Sequence, residues 1–227
     1  MAVLAETAQA SAHAGVDVTV RPVTSWRFRA ARAVRRLLRL DRERRWNTEY
    51  AAGDWSRLRA LDELAHHSVL AGYMRTFAPG GAVLEVGCGD GLLCDHISAA
   101  CGSYLGIDFA EPVRLAATRT NASTTFEVAD MHEFTTTARF DVIIFDESLY
   151  YYQDQLSGLQ RFAAMLAPGG VLLVSMHQTA RTAAVWARIA ESFESIDEVV
   201  VTNRNAVSWT IKALAPREPG PLAGVQP

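Results

Sequence analysis

The chain has 227 residues, 49% of them hydrophobic, and a net charge of −3 at neutral pH. A chain of this length and composition favours one globular domain with a substantial core, and no apolar run is long enough to span a membrane. The first 15 residues lack the basic and apolar regions of a secretory signal, so we expect a cytoplasmic protein.

The N-terminal part divides into two segments of different composition. Residues 1–20 are rich in Ala, Ser and Thr without periodicity, which predicts disorder. Residues 21–46 hold ten of the 22 basic residues, and their apolar residues have helical spacing. We expect a basic helix that either packs on the domain with its arginines in solvent or contacts a membrane surface or another anionic partner. No nucleic-acid partner is expected.

A second helix of about 20 residues is predicted from Leu58 onward, where apolar residues recur every three or four positions. Pro79 and the two glycines after it end this helix. Residues 21–78 therefore form a predicted N-terminal helical cap segment.

Strand and helix patterns alternate from residue 82 onward, and the last two predicted strands are joined by the turn-rich segment TNRN. This order predicts an α/β fold: a seven-stranded, mostly parallel, doubly wound sheet with helices on both faces and an antiparallel edge. We assign residues 79–215 to this domain. The Pro- and Gly-rich residues 216–227 are expected to be a flexible tail.

A glycine-rich loop follows the first predicted strand, in the segment VLEVGCGDGLLC. Gly87, Gly89 and Gly91 allow sharp backbone bends and the close approach of a ligand. Such a loop lies at the carboxyl ends of parallel strands, where ligands bind, and the following helix N-terminus favours a negative group. The spacing is tighter than the Gly-x-Gly-x-x-Gly of dinucleotide sites, so the loop predicts another nucleotide-like cofactor. The three cysteines lack metal-ligand spacing, so we expect buried thiols and no metal site.

The glycine segment resembles the first motif of the class I (Rossmann-like) S-adenosylmethionine-dependent methyltransferases of the small-molecule type. Four further segments are similar to later motifs of that family, in the same order: YLGIDFA, FEVADMHEF, FDVIIFDESLYYY and LAPGGVLLVSMH. The resemblance extends from about residue 47 to residue 214. It implies S-adenosylmethionine as the cofactor and methyl transfer as the activity.

The resemblance also implies a set of cofactor contacts. Asp108 would accept hydrogen bonds from the ribose, Asp130 and Met131 would contact the adenine, and Asp146 would lie near the sulfonium or the amino-acid part. His66 stands where relatives often carry an arginine available to the cofactor carboxylate, so this contact would depend on pH. The remaining predicted cofactor-binding residues are Tyr50, Trp55, Glu85, Gly87, Cys88, Gly89, Gly91 and Phe109.

The loop after the fourth predicted strand is expected to face the methyl acceptor. Glu147, Tyr151 and His177 are the candidate catalytic residues, as bases or as partners of a water that takes the acceptor's proton. Tyr150 and Tyr152 are candidate substrate-binding residues.

Plainer structural alternatives stay open for several of these residues. They are a local hydrogen bond for Glu85, a helix cap for Asp108, a turn for Asp130, core packing for Met131 and for one of the three tyrosines, a small loop residue for Cys88, and surface positions for His66 and His67.

The acceptor is predicted to be a small molecule, methylated on oxygen or nitrogen. The segment DESL replaces the Asn/Asp-Pro-Pro-Tyr motif of many nucleic-acid and protein-amide methyltransferases. A short likeness to the nodulation N-methyltransferases suggests a sugar-containing acceptor or a secondary metabolite. The alternatives are a non-catalytic, regulatory S-adenosylmethionine-binding protein and an NAD-dependent oxidoreductase. The oligomeric state is left open.

Overall fold

The computed structural model describes residues 43–109 and 112–217. The predictions for residues 1–20, for residues 21–42 of the basic segment, and for residues 218–227 of the tail lie outside the described residues. All described residues belong to the unit Asp41–Pro227.

Six helices and seven strands are described in this part of the chain. The helices are α1 (residues 43–51), α2 (Leu61–Phe77), α3 (Leu92–Ile97), α4 (Pro112–Ala116), α5 (Gln155–Ala163) and α6 (Ala180–Ile189). The strands are β1 (Ala82–Val86), β2 (Ser103–Asp108), β3 (Thr124–Val128), β4 (Phe140–Asp146), β5 (Leu166–His177), β6 (Phe193–Thr202) and β7 (Ser208–Pro216). Short 3₁₀ turns cover Ser56–Arg59, Ser98–Ala100, Ala117–Arg119 and Leu149–Tyr151.

The seven strands form one sheet in the order β3-β2-β1-β4-β5-β7-β6. Strands β1 to β5 pair in parallel, and β7 pairs antiparallel with both β5 and β6. The predicted fold class is confirmed. The reversed strand β7 is the second strand from the edge of the sheet, and β6 is the edge strand.

Both faces of the sheet are covered, as the continuous apolar strands require. Along β4, Ile143 and Phe145 join a core cluster with residues of α5 and α6, whereas Val142 and Ile144 join a second cluster with residues of α2 and α3. Successive side chains of a strand point to opposite faces, so a run of apolar residues fills both clusters.

Helix α2 is shorter than the predicted helix because residues Ser56–Arg59 form a 3₁₀ turn instead. It ends at Phe77, where Ala78 leaves the helical region with φ of −144°. Pro79 disfavours helical backbone at the residue before it, which explains this end. Acidic residues in its first turn and Arg75 in its last turn match the helix dipole. No helix among the described residues is both long enough and apolar enough to cross a membrane.

Candidate functional site

The strand order changes direction at β1, which lies between β2 on one side and β4 on the other. Ligands of open parallel sheets bind beyond the carboxyl ends of the strands at such a point. The loops after β1, β2, β3 and β4 meet there. The backbone amide of Gly89 donates to Oδ2 of Asp108 over 3.0 Å, which joins the glycine loop to the end of β2.

The glycine loop packs directly on the loop after β4. Gly87 has φ of 80°, and a Cβ at this position would lie 2.6 Å from Cβ of Ser148. The Ser148 hydroxyl donates to the carbonyl oxygen of Val86. The methyl carbon of Met131 lies 3.8 Å from the same Cβ position, so the loop after β3 also reaches the glycine loop.

The neighbouring residues of the loop have different surroundings. The Cys88 thiol is buried and packs on Gly106 of β2, which agrees with a small packing residue. At Gly89, with φ of 53°, the hydroxyl of Tyr50 occupies the space that a Cβ would need. Burial raises the pKa of Tyr50, and nearby Asp108 adds to this effect, so the hydroxyl stays protonated over the loop.

An aromatic group extends from α1 across the site. Trp46 and Trp55 are stacked with ring centroids 4.7 Å apart, and Trp55 also stacks on Tyr50 at 5.7 Å. Trp46 makes an edge contact with Tyr151 over 5.0 Å, which connects this group to the loop after β4. Tyr50 and Trp55 are predicted cofactor-binding residues within the predicted cap segment. Trp46 was missed because it lies at the end of the basic segment and in no family motif.

Glu85 is buried in β1, and the hydroxyl of Tyr104 in β2 donates to its carboxyl oxygen Oε2. Burial raises the pKa of Glu85 to about 8, partly offset by the hydrogen bond from Tyr104. The local hydrogen bond considered for Glu85 is therefore present. Tyr104 was not among the predicted site residues.

Strands β2 and β3 are followed by the predicted ribose and adenine residues. Phe109 is half-buried directly after Asp108. Oδ1 of Asp130 accepts the backbone amide of His132 over 2.9 Å, so this acid also forms a turn. Met131 is 7% exposed, which places it between the core and the glycine loop.

Glu147 is held in an unusual conformation directly after β4. Its φ of 52° lies in the left-handed region, which is strained for a residue with a side chain and is frequent at functional sites. The hydroxyl of Tyr150 donates to Oε2 over 3.2 Å, while Oε1 is buried with no hydrogen-bond partner among the described residues. Burial raises the pKa of Glu147 to about 8, and the charge of Asp146 adds to the shift.

The three consecutive tyrosines have three different environments. Tyr150 is half-buried against Glu147, and Tyr151 is 40% exposed beside the aromatic group. Tyr152 is 8% exposed, and its hydroxyl donates to the carbonyl oxygen of Met131. Tyr152 thus packs within the core, as expected for at least one of the three.

Two histidines of α2 lie beside the carboxylate at the end of β4. Nε2 of His66 is 3.5 Å from Oδ1 of Asp146, and Nε2 of His67 is 3.2 Å from Oδ2. Burial alone would raise the pKa of Asp146, but the two imidazoles outweigh it and lower this pKa. His66 is 1% exposed and His67 5%, so the surface alternative for these histidines is wrong.

The other predicted histidine lies at the same edge of the sheet. His177 is half-buried at the end of β5, with its ring centroid 6.0 Å from that of Trp209 in β7. Trp209 also stacks on His66 over 4.7 Å. Trp209, like His67, was not among the predicted site residues.

Comparison with known proteins identifies the family and supports the fold. The sequence profile of a family described as "Methyltransferase domain" matches residues 27–213. The ubiquinone biosynthesis O-methyltransferase of Bradyrhizobium diazoefficiens is 31% identical over 97 residues, covering 41% of this chain and 38% of that protein. Nodulation protein S of Sinorhizobium fredii is 32% identical over 130 residues, covering 54% of this chain and 60% of that protein. In both matches the chain aligns with less than two thirds of the relative.

Among solved structures, the N-methyltransferase NodS from Bradyrhizobium japonicum in complex with S-adenosyl-l-homocysteine superposes with a TM-score of 0.68. That match covers 78% of this chain and 98% of NodS at 22% sequence identity, so it supports the fold. Because the family profile spans most of the chain, the protein belongs to the methyltransferase family. The predicted membership in the class I S-adenosylmethionine-dependent methyltransferases is confirmed.

Proposed function

We propose that the chain transfers a methyl group from S-adenosylmethionine to an oxygen or nitrogen atom of a small molecule. The observation that carries this proposal is the junction of the glycine loop with Asp108, at the switch point of the sheet. Family membership supplies the cofactor, since NodS was solved with the demethylated form of the same compound.

Asp108 is proposed to hold the ribose of the cofactor. Its Oδ2 accepts a hydrogen bond from the Gly89 amide. A carboxylate has about four acceptor sites, so Asp108 can also accept hydrogen bonds from ribose hydroxyls. Hydrogen bonds to a charged acceptor are the stronger kind. The bond from Gly89 then orients Asp108 before the cofactor binds.

The remaining cofactor contacts are proposed along the same edge. Asp130 would accept the adenine amino group, and Met131 would pack on the ring with Phe109 nearby. Tyr50 and Trp55 of the aromatic group would close the site above the glycine loop, where the Tyr50 hydroxyl already lies. A closed site excludes water, which strengthens the electrostatic contacts inside it.

The chemical step is an in-line displacement at the methyl carbon. A lone pair of the acceptor forms the new bond to carbon while the carbon–sulfur bond breaks, and the sulfonium becomes a neutral thioether. Alignment of the two reactants can contribute about 7–11 kcal/mol to lowering the barrier. Since the leaving group is good, the protein mainly positions the acceptor and removes its proton.

Glu147 is the proposed base for that proton. Its Oε1 is buried and has no hydrogen-bond partner within the described residues, and Tyr150 orients its other oxygen. His177 and Tyr151 lie at the same edge and are the proposed secondary groups around the acceptor. A base at this position would contribute roughly 10²- to 10⁴-fold to the rate.

The acceptor is proposed to be a small molecule on the basis of the relatives. One of them is named for O-methylation in ubiquinone biosynthesis, and the solved neighbour NodS is named as an N-methyltransferase. A sugar-containing acceptor or a secondary metabolite fits both the short likeness to NodS and the aromatic group, which Tyr150 connects to Glu147. Sugar rings and aromatic rings both stack on such side chains.

Calorimetry with S-adenosylmethionine tests the cofactor assignment. Wild type should bind it, and Asp108→Asn should weaken binding about 10- to 100-fold, because asparagine can still accept the Gly89 amide but lacks the charge. The control Glu127→Gln removes an exposed carboxylate of β3 and should bind normally. Equal affinity of wild type and Asp108→Asn would refute the ribose assignment.

A thermal-shift comparison and an acceptor panel separate the alternatives. S-adenosylmethionine at 100 times its Kd should stabilise the fold by about 2.7 kcal/mol, and NAD should not. Release of S-adenosylhomocysteine with a panel of hydroxyl and amine acceptors should then identify the substrate class. Tight cofactor binding without turnover on any acceptor would instead favour the non-catalytic regulatory protein.

A further inference from the structure

Two buried histidines and a half-buried aspartate beside the proposed methyl-transfer site have the arrangement of metal ligands. They are His66 and His67 of α2 and Asp146 at the end of β4. Each offers one ligand atom, and these atoms all lie within 4.8 Å of one another. The two imidazole nitrogens approach different oxygens of the carboxylate, at 3.5 and 3.2 Å.

Ring stacking holds both imidazoles in place. Trp209 lies against His66 with an interplanar angle of 21°, and His96 lies against His67 at 25°. Consecutive side chains on a helix point about 100° apart. The two imidazoles therefore approach the Asp146 carboxylate from different sides. The set is therefore formed by packing of α2 over the end of β4.

We propose that His66, His67 and Asp146 bind a divalent transition-metal ion. Zinc in proteins takes imidazole and carboxylate ligands at about 2.0–2.2 Å in tetrahedral geometry, which puts neighbouring ligand atoms about 3.4 Å apart. Nε2 of His67 lies 3.2 Å from Oδ2 of Asp146, close to this spacing, and one ligand atom from each of the three residues lies within 4.8 Å of the others, so small side-chain adjustments would complete the site. Two imidazoles and one carboxylate suit Zn²⁺, Fe²⁺ or Co²⁺, whereas Mg²⁺ and Ca²⁺ prefer oxygen ligands.

Unsatisfied polar atoms in the cluster point independently to a missing ligand. Oδ1 of Asp146 is buried and forms no hydrogen bond with any described residue, and its contact with Nε2 of His66 is 3.5 Å long. Nδ1 of His66 is also buried without such a bond. Buried polar atoms without partners are unfavourable, and a cation would satisfy the oxygen directly.

Glu63 supplies the outer contact that metal-bound histidines usually have. Its Oε2 lies 3.7 Å from Nδ1 of His66, one helical turn away. A metal on Nε2 fixes the proton on Nδ1, and that N–H then donates to the carboxylate. A short side-chain adjustment closes this bond, so the same ion accounts for both unsatisfied atoms.

The proposed ion would have an open coordination position. Three protein ligands leave room for a water molecule or for an oxygen of a bound molecule. Glu147 directly follows Asp146, so an acceptor oxygen on the metal would lie near the proposed base. The metal site goes beyond the proposed methyl transfer, since it makes His66 and Asp146 metal ligands instead of the cofactor contacts predicted from the sequence, where no metal site was expected. Metal binding at this site requires neither cofactor nor acceptor.

Metal titration of the chelator-treated full chain tests the site without any assay of activity. Zn²⁺ by calorimetry and Co²⁺ by visible absorption should each bind with a stoichiometry of one ion per chain, and Mg²⁺ should give no signal. Asp146→Asn and His67→Gln should each weaken Zn²⁺ binding more than about 100-fold. His132→Gln removes a histidine that packs on Tyr152 outside the cluster and is the matched control, with affinity near wild type.

A second variant covers the case in which a ligand change unfolds the chain. Glu63→Gln leaves the three ligands intact and should weaken Zn²⁺ binding about 10- to 100-fold. The proposal is overturned if wild type binds no stoichiometric Zn²⁺ or Co²⁺, or if neither Asp146→Asn nor Glu63→Gln changes the affinity. Failure of S-adenosylmethionine binding would leave this result untouched, so the two proposals fail separately.

Discussion

Ser148 lies so close to Gly87 that any side chain at position 87 would overlap it. The Cβ of an alanine at this position would be 2.6 Å from Cβ of Ser148. Gly87 therefore does more than allow a positive φ. It lets the loop that carries Glu147 pack directly on the glycine loop.

Replacing Gly87 by alanine should destabilise the fold for two reasons. The left-handed backbone is disfavoured by roughly 1–2 kcal/mol for a residue with a Cβ. Displacing Ser148 should add about 1–3 kcal/mol, as overpacking does elsewhere. The loss of unfolding free energy measured by denaturant unfolding should equal the sum of these two contributions.

Gly169 provides the matched control for that experiment. It has φ of 79°, and an added Cβ would meet nothing within 4 Å. Gly169→Ala should therefore show only the destabilisation that comes from the left-handed backbone. Equal destabilisation by the two substitutions would mean that the contact between Gly87 and Ser148 is unimportant.

Glu85 should make the stability of the chain depend on pH. Its pKa is about 8 in the folded chain, against an ordinary value of 4.5. Between these two pH values the unfolded chain releases the proton of Glu85, while the folded chain keeps it. The contribution of Glu85 to stability is therefore fully present below the lower pKa. It is lost as the pH rises through the higher pKa. Above that pH the contribution stays constant.

Glu85→Gln should remove this dependence while keeping an acceptor for the Tyr104 hydroxyl. The unfolding free energy of the variant should increase relative to that of wild type as the pH is raised from about 5 to about 8. Glu127→Gln controls for loss of an exposed strand carboxylate. A difference between Glu85→Gln and wild type that does not change with pH would show that Glu85 does not titrate in this range.

Glu147→Gln should lower kcat about 10²- to 10⁴-fold with a responsive acceptor, because it removes the proposed base. S-adenosylmethionine affinity should stay near wild type, since the proposed role concerns the acceptor. Tyr150→Phe removes the hydrogen bond to Glu147 and should lower kcat by about tenfold. Glu191→Gln changes an exposed carboxylate after α6 and serves as the control. Unchanged turnover in Glu147→Gln would assign the proton transfer to another group.

Local patterns in the sequence were sufficient to predict the strands and the glycine loop. Apolar runs such as that of β4 mark strands buried on both faces, and the order of elements predicts a parallel sheet. The boundary of α2 was less predictable. Leu58 continues the apolar spacing of the helix but lies in the 3₁₀ turn of Ser56–Arg59.

Contacts between distant residues could not be read from spacing. His67 and Asp146 come together only because α2 packs over the end of β4, and nothing in the sequence signals that pair. The bond from Tyr104 to Glu85 depends on the register in which Glu85 lies opposite Gly106. Trp46 belongs to the aromatic group through packing alone.

A crystal structure of the chain with S-adenosylhomocysteine tests the central claim most directly. We expect the adenosyl group beside the loop from Gly87 to Gly91, with the ribose hydroxyls on the Asp108 carboxylate and the adenine next to Asp130 and Met131. A nucleoside bound at another place, or a ribose with no contact to Asp108, would contradict it.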